Sequence, residues 1–329
     1  MSNINGLVSI VIPVYRVEDY IKRCIESVMN QTYDDIECII VDDRGEDKSI
    51  SICENLIANY HGKKIFKIIR HESNKGVSAA RNTGMRNSTG KWLYFIDSDD
   101  YLRETAIEHL ISKAHHYPSA TMIVGLISAT GKNNLYESQF SNNVKYIEGN
   151  EIGCYLLFKS LIPMNVWDKL YLRSSLDSNQ IFFKEGIIHE DHLWIYYALR
   201  QFDNIAFADE VTYIHNIRPN SIMTSLTIKR MQDNLNIVLK DILTNLPKYY
   251  KKDAILLYLK LFLGYYKRIA ATTLSKEVYT LFVNSLEEER CRKVKQLLKL
   301  YNLPQLSFTR KLLRSYLYLS INASLYNSK

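Results

Sequence analysis

The chain has 329 residues, 47% of them hydrophobic and 23% charged, which excludes a disordered or collagen-like protein and leaves material for a large core and two structural units. Five scattered cysteines (Cys24, Cys38, Cys53, Cys154 and Cys291) with no CxxC pair exclude a cysteine zinc site and a disulfide framework, and point to reduced thiols in the cytoplasm. The net charge of +7 is uneven: residues 226–329 carry 19 Lys/Arg against 7 Asp/Glu, and the remainder is mildly acidic.

The first six residues are polar and show no signal-peptide pattern. Residues 7–15 (LVSIVIPVY) then form a Val- and Ile-rich run without polar alternation, which suits a strand covered on both faces. Pro13 belongs at its end, where no ladder donor is required. A helix follows, because Tyr20, Ile21, Cys24, Ile25, Val28 and Met29 recur at helical spacing. Residues 37–41 (ECIIV) are a second strand that runs into Asp42 and Asp43, 48–60 a second helix, and 65–70 (IFKIIR) a third strand. A helix over 77–87 and a Ser88-Thr89-Gly90 turn lead to the fourth strand, 91–96 (KWLYFI), which ends on Asp97-Ser98-Asp99-Asp100. Leu102, Ala106, Leu110 and Ala114 mark the next helix. Residues 121–213 are less regular and read as an extension of the sheet with acceptor-side loops. Beyond about 225 the chain turns helical, with amphipathic stretches at 255–269 and 294–300. No uncharged run reaches the roughly 18–20 apolar residues of a spanning helix.

Strand–helix alternation with short connections predicts an α/β fold: a Rossmann-like, mostly parallel sheet with helices on both faces, followed by a mainly helical C-terminal region. Ligands of such sheets bind outside the carboxyl ends of the strands. Three strands here end on polar or acidic residues, at Tyr15, at Asp42/Asp43 and at Asp97/Asp99.

Asp97 and Asp99, one residue apart at a strand end, can face one hard cation such as Mg²⁺ or Mn²⁺. The alternative is an acidic cap, by Asp99 or Asp100, on the helix expected near Leu102. Asp42 or Asp43 can accept a hydrogen bond from a uracil N3–H or a ribose hydroxyl, or can cap the turn before the second helix. Glu190 and Asp191 stand ahead of an apolar, aromatic segment. They are either acids favourable to a helix dipole or a general base for an acceptor hydroxyl. His189 and His192 flank them without further partners for a zinc site.

The order of these pieces is more specific than any one. VSIVIPVY, ESVMNQTY, ECIIVDD, NKGVSAARNTG, WLYFIDSDDYL and HED, over about two-thirds of the chain, resemble the family 2 glycosyltransferases of the GT-A fold. By that resemblance Pro13, Val14, Tyr15 and Asp42 or Asp43 hold the nucleotide base. Asp97, with Ser98 beside it, faces ribose and metal; Asp99 is the main metal ligand; Asp191 is the catalytic base, with Glu190 beside it on the substrate. Lys75, Gly76 and Arg81 pass beside the nucleotide, where Arg81 either contacts phosphate or pairs with an aspartate. Trp167 and Asp168 fall in the segment beneath the acceptor, with Trp167 stacked on a sugar or buried in the core. His215 and Arg218 fall in the loop that closes over the diphosphate. The family commonly has Gly-Ser-Thr-Asp after the paired aspartates; Arg44-Gly45-Glu46-Asp47 stands there instead.

The resemblance implies a GT-A domain over 1–225, with a nucleotide-sugar half at about 1–120 and an acceptor half at about 121–225, and a basic helical region over 226–329. It implies metal-dependent, inverting transfer from a nucleotide-sugar, a UDP-sugar by expectation, to a hydroxyl of a saccharide or lipid-linked saccharide. The implied setting is lipopolysaccharide, O-antigen or capsule biosynthesis. The basic helix around 310–319 suits either an anionic membrane surface, which would place the protein peripherally on the inner face of the cytoplasmic membrane, or packing within a homo-oligomer. No nucleic-acid motif is present. Two rivals are a non-catalytic protein that keeps the fold and a sugar-phosphate nucleotidyltransferase. The second lacks support, since Tyr15-Arg16-Val17-Glu18 is not a glycine-rich loop.

Overall fold

The computed structural model describes residues 6–130, 136–137, 145–148, 162–178, 180–202, 204–217 and 227–245. They belong to two compact units, residues 1–153 with 160–224 and residues 154–159 with 225–329. The first unit holds all ten strands described below. Of the second, the described part is one helix, Ile228–Thr244, capped by the Thr227 hydroxyl, which accepts from Arg230 N. Arg218 and the basic stretch at 310–319 lie outside the described residues. Among those described, no helix is long and apolar enough to cross a membrane.

The sheet begins with four parallel strands in the order β3 (Ile65–Arg70), β2 (Ile36–Asp42), β1 (Val8–Val14) and β4 (Trp92–Phe95). All seven residues of β1 and of β2 are buried, as their unbroken apolar runs require. Pro13 lies beyond Val11, where the pairing with β4 stops, so its missing N–H is tolerated. Helix α1 (Ile21–Met29) buries Ile21, Cys24, Ile25 and Val28, one stripe at helical spacing. Helix α2 (Ser49–Ala58) connects β2 to β3, and α3 (Val77–Arg86) connects β3 to β4. Helix α3 lies close on β1: a methyl group at Gly84 would collide with the Val11 side chain.

Beyond β4 the sheet becomes mixed. After β5 (Tyr101–Leu102) and helix α4 (Ala106–His116) come β6 (Met122–Thr130), β7 (Tyr136–Glu137), β8 (Tyr146–Glu148) and β9 (Lys169–Leu172). Helix α5 spans Arg173–Asp177, helix α6 spans Glu190–Ala198, and β10 spans Asn204–Asn216. Strand β9 lies antiparallel between β4 and β6, and β6 runs parallel to β10. The expected α/β class with an extended sheet holds. The helix expected from Leu102 does not begin there: Leu102 is in β5, paired with Tyr213 of β10, and α4 starts after Thr105. The acidic-cap alternative for Asp99 and Asp100 is thereby removed, because the residue at the cap is Thr105.

Candidate active site

At the β1 and β2 ends Pro13 and Val14 are buried and Tyr15 is 40% exposed. Asp43 is fixed by main chain on two sides. Its N–H donates to Val14 O (3.0 Å), and its carboxylate accepts from the N–H groups of Lys75 and Gly76, each at 2.8 Å. His71 Nδ1 lies 2.7 Å from the same carboxylate, and His71 Nε2 lies 2.9 Å from the Thr83 hydroxyl. Asp43 therefore anchors the start of α3, where a negative charge is favoured. Gly76 permits this at φ 86°, with open space where a side chain would project. Lys75 itself is exposed. Asp42, also buried, accepts from Arg44 N at 2.9 Å and has Arg70 Nε 3.7 Å away.

At the β4 end the carboxylates crowd together. Asp97 accepts from Arg81 at 2.8 Å, and the other arm of the same guanidinium donates to Glu190 at 2.8 Å. Arg81 is thus the ion-pair form of the two alternatives. Burial opposes its charge, but Asp97, Glu190 and Asp191 together raise its pKa above the ordinary arginine value. Its buried Nε has no hydrogen-bond partner among the described residues. Ser98 is buried and Asp99 half-buried.

Asp100, which the sequence offered only as a cap, is a hub. Its buried carboxylate accepts from Tyr213 Oη (2.6 Å) and Asn216 N (2.7 Å), with His215 Nδ1 at 3.1 Å. Burial raises the Asp100 pKa to about 6, against the His215 hydrogen bond and with the charges of Asp97 and Asp99. Burial disfavours the His215 imidazolium, yet Asp100 outweighs it and raises His215 above its ordinary value. Trp167 stacks on both partners, with ring centroids 4.5 Å from Tyr213 and 5.2 Å from His215.

Asp168 departs from the expectation of a substrate contact. It is fully buried at φ 65°, with its carboxylate 2.6 Å from an equally buried Lys169 Nζ. Lys169 also donates to Asn165 O, Asn165 Oδ1 and Trp167 O. The pair braces the Trp167 turn from inside and presents no carboxylate oxygen to solvent.

Helix α6 opens on the HED motif. His189 adopts φ 65° at the cap position, and Glu190 and Asp191 form the first turn rather than preceding the helix. The Asp191 carboxylate accepts from His192 N at 2.9 Å, and its side chain keeps 29% of its surface exposed. Burial raises its pKa to about 6; Arg81 and the His192 N–H pull it down, and Asp97 pushes it up. Glu190 is raised by burial and by Asp191, with Arg81 opposing. Asn82, which sequence reasoning missed, clamps the approach to α6. Its amide donates to Phe183 O (2.9 Å) and Glu185 (3.1 Å) and accepts from Phe183 N (2.8 Å). The adjacent pair Arg81–Asn82 on α3 thus secures both the loop and the first turn that carry Asp191.

Residues 9–176 match the family model for glycosyl transferase family 2. The chain belongs to that family. It is 30% identical over 231 residues to the uncharacterized glycosyltransferase EpsJ of Bacillus subtilis (strain 168), a match spanning 69% of this chain and 65% of EpsJ. It is 27% identical over 230 residues to the poly(ribitol-phosphate) beta-N-acetylglucosaminyltransferase TarP of Staphylococcus aureus (strain N315), spanning 69% of this chain and 68% of TarP. Its fold matches the crystal structure of S. aureus TarS 1–349 in complex with UDP-GlcNAc, with a TM-score of 0.72, 19% identity, and coverage of 94% and 91% of the two chains. The fold is therefore of the GT-A type.

The family match takes in Asp42, Asp43, Asp97, Asp99 and Trp167 and stops before Asp191 and His215. Among the described residues no group of three or more His, Cys, Asp or Glu side chains is arranged to hold a metal alone. Asp97 and Asp99 supply oxygen donors only. That donor set suits Mg²⁺ or Mn²⁺, which complete their coordination with water and phosphate oxygens.

Proposed function

We propose that this family 2 protein transfers a sugar, with inversion, from a UDP-sugar to a hydroxyl of a saccharide or lipid-linked saccharide acceptor. The observation that carries the reading is the Arg81 bridge. One buried guanidinium joins Asp97, on the nucleotide side, to the first turn of the helix that bears Asp191. A metal and diphosphate site and a base are thereby held within one side chain's reach of each other.

In this reading Asp42 serves the base. Asp43 has both oxygens satisfied by protein donors, whereas Asp42 keeps acceptor capacity of its own. Asp97 and Asp99 would hold Mn²⁺ or Mg²⁺, which when bound offsets the charge that develops on the departing diphosphate. Asp191 takes the proton of the acceptor hydroxyl. That oxygen forms the new bond to the anomeric carbon from the face opposite the leaving diphosphate, so the configuration inverts. A carboxylate titrating near 6 is charged at neutral pH and basic enough to accept that proton. Trp167 and His215 border the site. The relatedness to TarP, a poly(ribitol-phosphate) beta-N-acetylglucosaminyltransferase, supports a polymer as the acceptor class, with lipopolysaccharide, O-antigen or capsule as the finer reading. We assign residues 1–225 to the transferase domain and 226–329 to a basic region, whose stretch at 310–319 suits an anionic membrane surface or packing within a homo-oligomer.

The reading is tested by calorimetric titration of UDP, GDP and their sugars with Mn²⁺ and with chelator, together with product analysis. Metal-dependent uptake of a uridine nucleotide and an inverted product support it. A folded protein that takes up no nucleotide overturns it in favour of a non-catalytic role.

A further inference from the structure

Three non-glycine residues with left-handed backbone cluster at the carboxyl ends of β1 and β2: Arg16 (φ 52°), Arg44 (φ 58°) and Glu46 (φ 56°). Such a backbone disfavours any residue with a Cβ and persists only where the surroundings impose it. The surroundings of Arg44 do impose it. Its N–H donates to Asp42, its Nε donates to His71 O, and the next residue, Gly45, lies so close to Arg16 that a methyl group there would sit 2.6 Å from Arg16 N. The Arg16 side chain returns the contact by donating to Gly45 O at 3.1 Å. Val17 N to Ser49, Glu18 N to Asp47 and Lys48 N to Glu18 tie the same two loops together further out.

The locked loops fix the base of the Arg44 side chain, and its Nε bond fixes the middle. The terminal nitrogens have no hydrogen-bond or ion-pair partner among the described residues, and the residue is exposed. Backbone strain at a site where glycine would fit more easily thus holds an uncommitted guanidinium fork on the residue whose own N–H meets the buried Asp42 carboxylate. A planar fork of this kind matches the oxygens of a phosphate or a base carbonyl in two-point fashion.

We propose that Arg44 is a donor-recognition residue, a direct contact to the nucleoside diphosphate. This rests on the nucleotide-sugar reading above and adds a residue to it. Arg44 would add one cation to the residues already assigned to the nucleotide.

The test uses two variants of the 329-residue chain, UDP titration with Mn²⁺, and thermal melting. Arg44→Gly removes the fork and relieves the backbone; Arg44→Ala removes the fork and leaves the left-handed demand. Both should bind UDP about tenfold more weakly, as expected for one lost charge-assisted contact. The glycine variant should melt higher than the alanine variant. Wild-type affinity in both folded variants overturns the proposal, as does a loss confined to the variant that melts lower. A wild-type protein that takes up no nucleotide overturns the donor reading itself, which separates the two failures.

Discussion

Two strand ends, that of β2 and that of β4, both terminate in aspartates, and the protein treats them in opposite ways. At β2, Asp43 meets two backbone N–H groups and a histidine, and Asp42 meets another N–H. Each negative charge there faces donors. At β4, Asp97 and Asp99 add their charge against Asp100, and Asp97 gathers with the α6 acids Glu190 and Asp191 around Arg81. Burial pushes Asp100 and Asp191 up to about 6, and the charge of Asp97 adds to the shift at both. The difference is one of pairing: the β2 carboxylates face main-chain donors, whereas Asp97 and Asp191 set like charges near each other beside one shared cation.

Four experiments sharpen or break that contrast. The largest effect should come from Asp191→Asn, which keeps the shape and removes the proposed base. Transfer should fall about 10²–10⁴-fold, while UDP titration with Mn²⁺ stays near wild type. Normal turnover would remove the base assignment. Next is Arg81→Met, which leaves Asp97 and Glu190 without their common partner. Loss of about 3 kcal/mol is expected in urea unfolding, toward the low end for a broken buried pair because Asp97 is partly solvated.

The third experiment is Asp43→Asn. It removes the charge that anchors α3 and should lower the melting temperature by a few degrees, an effect of about 1–2 kcal/mol. Donor affinity should change less than in an Asp42→Asn variant; the reverse order would exchange their roles. The smallest effect is a pH profile. Asp191 must be charged to act, so kcat/KM should rise with pH through about 6 and level above it. A limb near the ordinary aspartate value would mean that burial does not set this group. In Arg81→Met the limb should move upward, because the cation that lowers the Asp191 pKa is gone.

Much of this was legible in the sequence where one strand or one helix carries the signal. The apolar runs of β1 and β2 have no alternation because both faces are covered, and the acidic residues at the ends of β2 and β4 follow from chain order alone. What was not legible depends on pairings across long stretches of chain. Asp100 reads as a cap until β5 is known to pair with β10, which delivers Tyr213 and His215 to it. Asp168 reads as an acceptor contact until its turn is seen to fold inward onto Lys169. Asn82 sits beside Arg81 in a segment already singled out, but its partner is the main chain of Phe183, about a hundred residues away. No periodicity marks a side chain that substitutes for a strand partner.

The absent side chain at Gly84 has a reach beyond packing. It sets how near α3 lies to β1, and α3 carries Arg81 and Asn82 on to the 183–185 loop and the first turn of α6. A methyl group at that position would act as a shim under a lever. The displacement would be delivered to Asp191, where small errors of placement are magnified in rate. Gly84 lies one turn from Arg81 on the same helix, so a single hydrogen atom bears on where the proposed base stands.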